Sequence, residues 1–390
     1  MRRLSDPGDP VLGALRPWLD PAARGGRGVL LAVSGGPDSS ALLYAAAALR
    51  DAGPVAVQVA TVDHGLRPGS KAEAEGVGRA ARDLGLPHAL LTWAGAKPGT
   101  GLQDAARTAR YALLAAQAAT IGAGLVLTGH TQDDQAETVL MRLAAGSGLA
   151  GLAGMRAERT LAAGLSLGRP FLHLPKATLV AWCEERGIAY VRDPANGNPR
   201  FARGRLREAW PVLEREGLTP ARLARLAERA ARDEAALRSA AEQALDRMGR
   251  PGPGAGTGTG LRLDGAALAV LPDAVVLRCL DLALTRAGAA PRRLERLEAL
   301  VLESLLPALR RREPIRRTLA GFLVSADSGG AVSLAPAPPR RSRGAGAALA
   351  AGAPELLGKG EPPAYIGDVC TDGPEQPRGM SVLGVARAKD

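Results

Sequence analysis

Cysteine is scarce in this chain: Cys183, Cys279 and Cys370 are the only three in 390 residues, and they lie far apart. No CxxC pair and no Cys/His cluster occurs, which argues against a zinc or iron–sulfur site and for a reducing compartment. Aromatic residues make up 3% of the chain, so Leu, Val and Ala must fill the core that a hydrophobic content of 46% permits. No apolar run reaches membrane-spanning length, and no apolar segment follows the two arginines of the opening MRRLSDPGDP. The expectation is a cytoplasmic protein with no membrane partner. Lysine is nearly absent too, at five of the 50 basic residues. The net charge of +11 therefore has two readings. One is a polyanionic partner; the other is the Arg-, Ala- and Gly-rich bias of a GC-rich genome.

What is present is a regular alternation. Short apolar runs at 28–33, 54–62, 87–93 and 124–129 are bounded by Gly or Pro. Helical patterns fill 39–50, 70–85, 102–121 and 132–145, and Ser70 with Glu73 forms a capping-box pattern. Strands alternating with helices predict a Rossmann-like parallel α/β sheet with helices on both faces and ligands beyond the strands' carboxyl ends. A glycine-rich connector (144–155), a last αβ unit (175–190) and a loop leading into a basic helix (192–210) follow. The expected organisation is a catalytic domain over 1–215 and a smaller, mainly helical domain over 216–335, interrupted by the glycine-rich linker 249–260. Within it, 261–325 reads as two helices and at most a terminal hairpin. The arginine-rich stretch 291–317 reads either as an RNA-binding or as a solvated face. The Ala/Gly/Pro-rich tail, 336–390, reads as disordered.

The stretch SGGPDS (34–39) ends the first apolar run and opens the first helix. A loop in that place aims several backbone N–H groups at one spot. Gly35 and Gly36 allow close approach, Pro37 suits a first helical turn, and Ser34, Ser39 and Ser40 add hydroxyls. Phosphate is the object such a loop cradles. No GKS or GKT follows, so this is not a Walker loop. Asp38 beside phosphates requires an intervening cation, which predicts Mg²⁺. The plain alternative is a glycine turn with Asp38 as a helix cap.

The loop resembles the SGGxDS signature of the PP-loop ATP pyrophosphatases. Four further elements narrow the resemblance: HGLR (64–67), RxxRY (107–111), GHxxDDxxET (129–138) and GSGLxGLxGM (146–155). With the loop they resemble, in order and spacing over 26–213, the tRNA(Ile)-lysidine synthetase family. What the resemblance implies is ATP-dependent adenylation of the wobble cytidine 2-carbonyl in a CAU-anticodon tRNA(Ile). The L-lysine ε-amine then displaces AMP, giving lysidine. It implies ATP and Mg²⁺ as cofactors, with Ser34, Gly35, Gly36, Pro37, Asp38 and Ser39 on ATP and Asp38 on the metal. Arg110 would stabilise phosphate charge, Asp134 and Glu137 would face the metal or the lysine amines, and Arg203, Arg205 and Arg207 would lie near the tRNA. His64 and His130 read either as accessory groups or as histidines bonded to backbone. Thr131, Ala145, Ala195 and Gly204 depart from the family pattern, and Ala145 removes a possible RNA or phosphate contact. A homodimer is left open.

Other residues carry plainer expectations. Arg107 reads as a surface partner of Asp104, Asp133 as a first-turn helix charge, and Lys176, after Pro175, as a surface residue at a helix start. Tyr111 and Trp182 read as packing. The rival functions are a tRNA thiolase, which would ordinarily need paired cysteines, and amide-forming synthetases, which lack HGLR. A non-enzymatic tRNA-binding protein with a decayed ATP site is the third.

Overall fold

The computed structural model describes residues 8–20, 27–50, 56–66, 69–95, 97–192, 202–251 and 260–338. Five parallel strands build the first sheet: β1 (Gly28–Ala32), β2 (Val57–Asp63), β3 (His88–Thr92), β4 (Ala123–Thr128) and β6 (Leu165–Gly168). An antiparallel edge strand, β5 (Glu158–Ala162), completes the order β3-β2-β1-β4-β6-β5. Side chains alternate along β1. Val29, Leu31 and Val33 pack into one buried cluster, Leu30 and Ala32 into another on the opposite face. The first cluster is covered by α1 (Pro10–Leu15), α2 (Pro37–Leu49), α3 (Ser70–Asp83) and α7 (Lys176–Glu185). The second is covered by α4 (Leu102–Thr120). A strand buried on both faces explains why β1 reads as an unbroken apolar run.

Strand order reverses between β1 and β4, where the loops leaving their carboxyl ends form a crevice. After β4, α5 (Gln132–Ala144) runs from that crevice; α6 (Leu149–Leu152) follows. The buried Ala136, Val139 and Leu140 of α5 meet Leu223 and Ala227 of the long α9 (Pro220–Met248). Leu206, Trp210 and Leu213 of α8 (Ala202–Arg215) pack on the same cluster.

The region after α9 departs from expectation. Beside α10 (Gly265–Ala269), α11 (Asp273–Arg286) and the helix α12–α13 (Leu294–Arg311) stands an antiparallel sheet of five strands, where a hairpin at most was expected. Its order is β7-β8-β11-β10-β9, with β7 at Gly249–Pro251, β8 at Leu261–Asp264, β9 at Ile315–Leu319, β10 at Phe322–Ala326 and β11 at Ala331–Pro336. Met248, Leu263, Leu280, Val301, Val324 and Val332 share one core there. The α12–α13 helix widens to a π turn over Ala299–Leu305, just before Pro307, whose missing N–H interrupts the α ladder. Of the expected linker 249–260, Gly249–Pro251 is instead strand β7 and 252–259 lie outside the described residues; of the expected tail 336–390, Pro336 instead ends β11 and 339–390 lie outside the described residues.

Four local expectations are corrected. Ser70 does not cap α3: Gly69 occupies that position, and the Ser70 hydroxyl donates to Asp63 Oδ1 at 2.7 Å. The unit at 175–190 contains α7 but no strand after it, while the β5–β6 hairpin precedes it. Arg107 turns to the Tyr111 ring, 5.2 Å from its centroid, rather than to Asp104. Lys176 is no bystander, as the site shows. Cys183 and Cys279 are buried, and burial pushes both thiols up to about 11, consistent with core residues. Among the described residues no helix is long and apolar enough to cross a membrane.

Candidate active site

The crevice is built from the loop SGGPDS. Gly35 adopts φ +90°, open to glycine at little cost, and its carbonyl accepts the Val191 N–H at 2.8 Å. Pro37 starts α2 behind the N-cap Gly36. The Ser39 hydroxyl ties the loop together. It accepts from the N–H groups of Ser34 and Gly35, each at 3.1 Å, and donates to the Gly36 carbonyl at 3.1 Å. The donors left for a ligand are therefore at the first turn of α2, whose N–H groups have no intrahelical partner. From the other wall Gly129 presses on this turn: a Cβ there would stand 2.8 Å from the Asp38 carbonyl oxygen and 3.1 Å from the Ser39 nitrogen.

Asp38 is the charged centre of the loop. One carboxylate oxygen, Oδ2, is 2.8 Å from Lys176 Nζ; the other, Oδ1, is buried with no hydrogen-bond partner. Burial raises the Asp38 carboxyl above its ordinary value, against the pull of Lys176, and Asp134 and Asp133 add to the rise. A buried, unpartnered carboxylate oxygen beside an N–H cradle fits a divalent cation carrying phosphates.

Thr131, Asp133, Asp134 and Glu137 open α5. Thr131 and Asp134 form a reciprocal capping box: Asp134 Oδ2 accepts the Thr131 N–H at 2.9 Å and the Thr131 hydroxyl at 3.0 Å. Burial alone would raise Asp134, but His130, the Thr131 donors and Arg203 hold it below the usual carboxylate range. Asp133 does more than complement a helix dipole, since its Oδ2 accepts the Lys176 N–H at 2.7 Å. Glu137, almost fully buried, is gripped by Arg207: Nε donates at 2.6 Å and Nη2 at 3.3 Å, with Arg203 Nε 3.8 Å away. Burial raises the Glu137 carboxyl and Arg207 opposes it. Arginine thus occupies Glu137, and Arg203 and Arg207 lie against α5, whereas Arg205 is exposed.

Two histidines flank the crevice. Burial, then the neighbouring arginines Arg169, Arg110 and Arg107, keep His130 neutral against the pull of Asp134. His130 Nδ1 shares a hydrogen bond with the Thr128 hydroxyl at 2.8 Å. Burial, then Arg110, lower His64 too; its Nδ1 is buried without a hydrogen-bond partner, and its ring stands edge-on to Trp93. Tyr111 lies between Arg107 and Arg159, the latter's guanidinium 5.1 Å from the ring centroid. Arg169, fully buried, donates from Nη1 to the Arg156 carbonyl. Sequence reasoning overlooked Arg169 and the contacts of Lys176 and Asp133. Only the Pro–Lys start of α7 pointed at Lys176, and it carries no hint of a partner 138 positions away.

The comparisons agree with this geometry. A family model described as a PP-loop domain matches residues 14–213. The tRNA(Ile)-lysidine synthase of Methylobacterium nodulans is 57% identical over 328 residues, covering 83% of this chain and 94% of that protein. That of Methylobacterium sp. (strain 4-46) is 56% identical, covering 85% and 95%. That of Rhodopseudomonas palustris is 48% identical, covering 81% and 92%. The expectation raised by the five motifs is met: this chain belongs to the tRNA(Ile)-lysidine synthase family of PP-loop enzymes.

Proposed function

We propose that this chain is a cytoplasmic ligase that joins L-lysine to the wobble cytidine of a CAU-anticodon tRNA(Ile) at the expense of ATP. The observation that carries the reading is the convergence, in one crevice, of a phosphate-cradling loop, a buried carboxylate with a free oxygen, and two more carboxylates on α5.

A pyrimidine 2-carbonyl oxygen cannot leave as oxide, so it must first become a phosphate ester. The carbonyl oxygen attacks the α-phosphorus of ATP and pyrophosphate departs. The ε-amine of lysine then attacks C2, AMP leaves with that oxygen, and the amine loses a proton. Asp38 would hold Mg²⁺ through its unpartnered oxygen, and the metal would supply charge neutralisation for the leaving pyrophosphate. Ser34 to Ser39 shape the loop that receives the phosphates, and the first-turn N–H groups of α2 donate to them.

Arg110, half-buried, brings its guanidinium near His64 and His130 and would balance phosphate or adenylate charge. Asp134, held ionised, and Glu137 would recognise the lysine amines, the latter on release from Arg207. His64 would be the nearby imidazole to accept the amine's proton, while the burial and arginines that hold His130 neutral leave it an accessory, hydrogen-bonding role. Arg203 and Arg205 on α8 and the region 216–335 would meet the tRNA. Purified protein given ATP, Mg²⁺ and radiolabelled L-lysine should label a CAU-anticodon isoleucine transcript and leave elongator methionine tRNA unlabelled. Label in both, or in neither, would reject this specificity.

A further inference from the structure

A loop built to receive three phosphates carries no basic residue of its own, and among the described residues only Lys71, Lys97 and Lys176 are lysines. Lys97 is committed to Trp93, its ammonium 3.8 Å from the ring centroid. Lys176 reaches the loop from a different element. The backbone leading into it is tied to the start of α5: the Lys176 N–H donates to Asp133 Oδ2, and the Leu174 carbonyl accepts the Gln132 N–H at 2.9 Å. Behind it, Leu179, Trp182 and Cys183 of α7 share the buried cluster that holds Leu42 and Leu43 of α2. Its base is thus held by packing, and its side chain, 43% exposed, is a four-carbon stem ending in a compact charge. The ammonium sits on one oxygen of Asp38 and leaves the other bare.

We infer that Lys176 is the phosphate-binding cation that this loop lacks: it neutralises Asp38 in the empty enzyme and passes to oxygens of the β,γ-phosphates when Mg²⁺·ATP enters. A second cation on Asp38 makes the Lys176 ammonium redundant there, while the incoming polyphosphate brings an uncompensated negative charge within reach of the same stem. Asp133 is the positioning residue, because it fixes where the stem begins. The inference rests on reading the loop as an ATP site.

The test is equilibrium binding by calorimetry to the full chain, with ATP and AMP as separate probes in the presence of Mg²⁺, for wild type, Lys176→Met and Lys176→Arg. Losing one charge-assisted contact to phosphate should weaken ATP binding about 10- to 100-fold in Lys176→Met. AMP affinity should stay within about twofold of wild type and Lys176→Arg should recover part of the loss. Unchanged ATP affinity in Lys176→Met would overturn the inference. So would parallel losses for ATP and AMP with a lowered urea midpoint, which would assign Lys176 to folding alone. Wild type that binds neither nucleotide would remove the loop reading first, and the inference with it.

Discussion

Gly129 sits where β4 meets the SGGPDS loop, and a single methyl group there should slow the enzyme. A Cβ at this position would lie 2.8 Å from the Asp38 carbonyl oxygen, 2.9 Å from its carbon and 3.1 Å from the Ser39 nitrogen. Ordinary contact begins at 3.4 Å, so the two backbones must part by 0.6 Å. No flexible side chain is available to yield. The loop is held by Ser39 and by Val191, and α2 is packed on buried Leu42 and Leu43. Overpacking of this kind costs about 1–3 kcal/mol. A reacting group misplaced by about 1 Å can lose about 100-fold in rate, so a shift of about half that should cost roughly tenfold in kcat/KM for ATP. The assay is AMP release at saturating tRNA and lysine, with urea unfolding alongside. Gly36 supplies the control: it has extended φ and ψ and nothing within 4 Å of its Cβ position. Gly36→Ala meets no such clash and should lose only what a glycine N-cap loses to alanine, so its urea midpoint should fall less than that of Gly129→Ala. Gly129→Ala with wild-type kcat/KM and midpoint would refute the close approach.

Asp9 caps α1 through the N–H groups of Val11 and Leu12 and, with its other oxygen, accepts from Trp182 Nε1 and Arg186 Nη2, each at 2.7 Å. Asp9→Ala strands a buried guanidinium and should cost about 3–5 kcal/mol, read as a fall in urea midpoint; a loss below about 0.5 kcal/mol would contradict it. Asp38 and Glu137 both have raised folded-state values, so their protonation favours the fold: that contribution is full below the ordinary carboxylate range and is lost as pH rises through the folded values. Asp38→Asn, neutral at every pH, should release no AMP yet be at least as stable as wild type at pH 7, the difference shrinking as the solution is acidified. A variant markedly less stable at pH 7 would reverse that sign. Arg205→Glu should raise the KM for tRNA and lower its salt slope by about 0.9 for one lost phosphate contact; an unchanged slope assigns Arg205 to solvent.

The first sheet was legible because each strand is a short apolar run closed by Gly or Pro, and the helices between carry a clear period; β1 and α4 lie within a residue of expectation. The β5–β6 hairpin was not, because Ala, Gly and Leu in ERTLAAGLSLG carry little strand preference, and pairing with β4 makes them strands. The second sheet escaped notice for a related reason: β8 pairs with β11, Leu261 opposite Leu334 at 73 positions' distance, a contact no local pattern announces. At the candidate site, the motifs singled out Asp38, Arg110, Asp134 and Glu137. The pairings of the carboxylates were not legible there, since Lys176 and Arg207 reach them across 138 and 70 positions. Motifs single out the carboxylates, and the fold decides which cation each one meets.

The two-step reaction can be tested by omitting lysine. Protein, Mg²⁺, a CAU-anticodon isoleucine transcript and ATP labelled at the α-phosphorus should release pyrophosphate and leave the label on the tRNA. Adding unlabelled lysine should then move that label into free AMP. Labelled ADP, or AMP formed without tRNA and never attached to it, would contradict adenylation of the base.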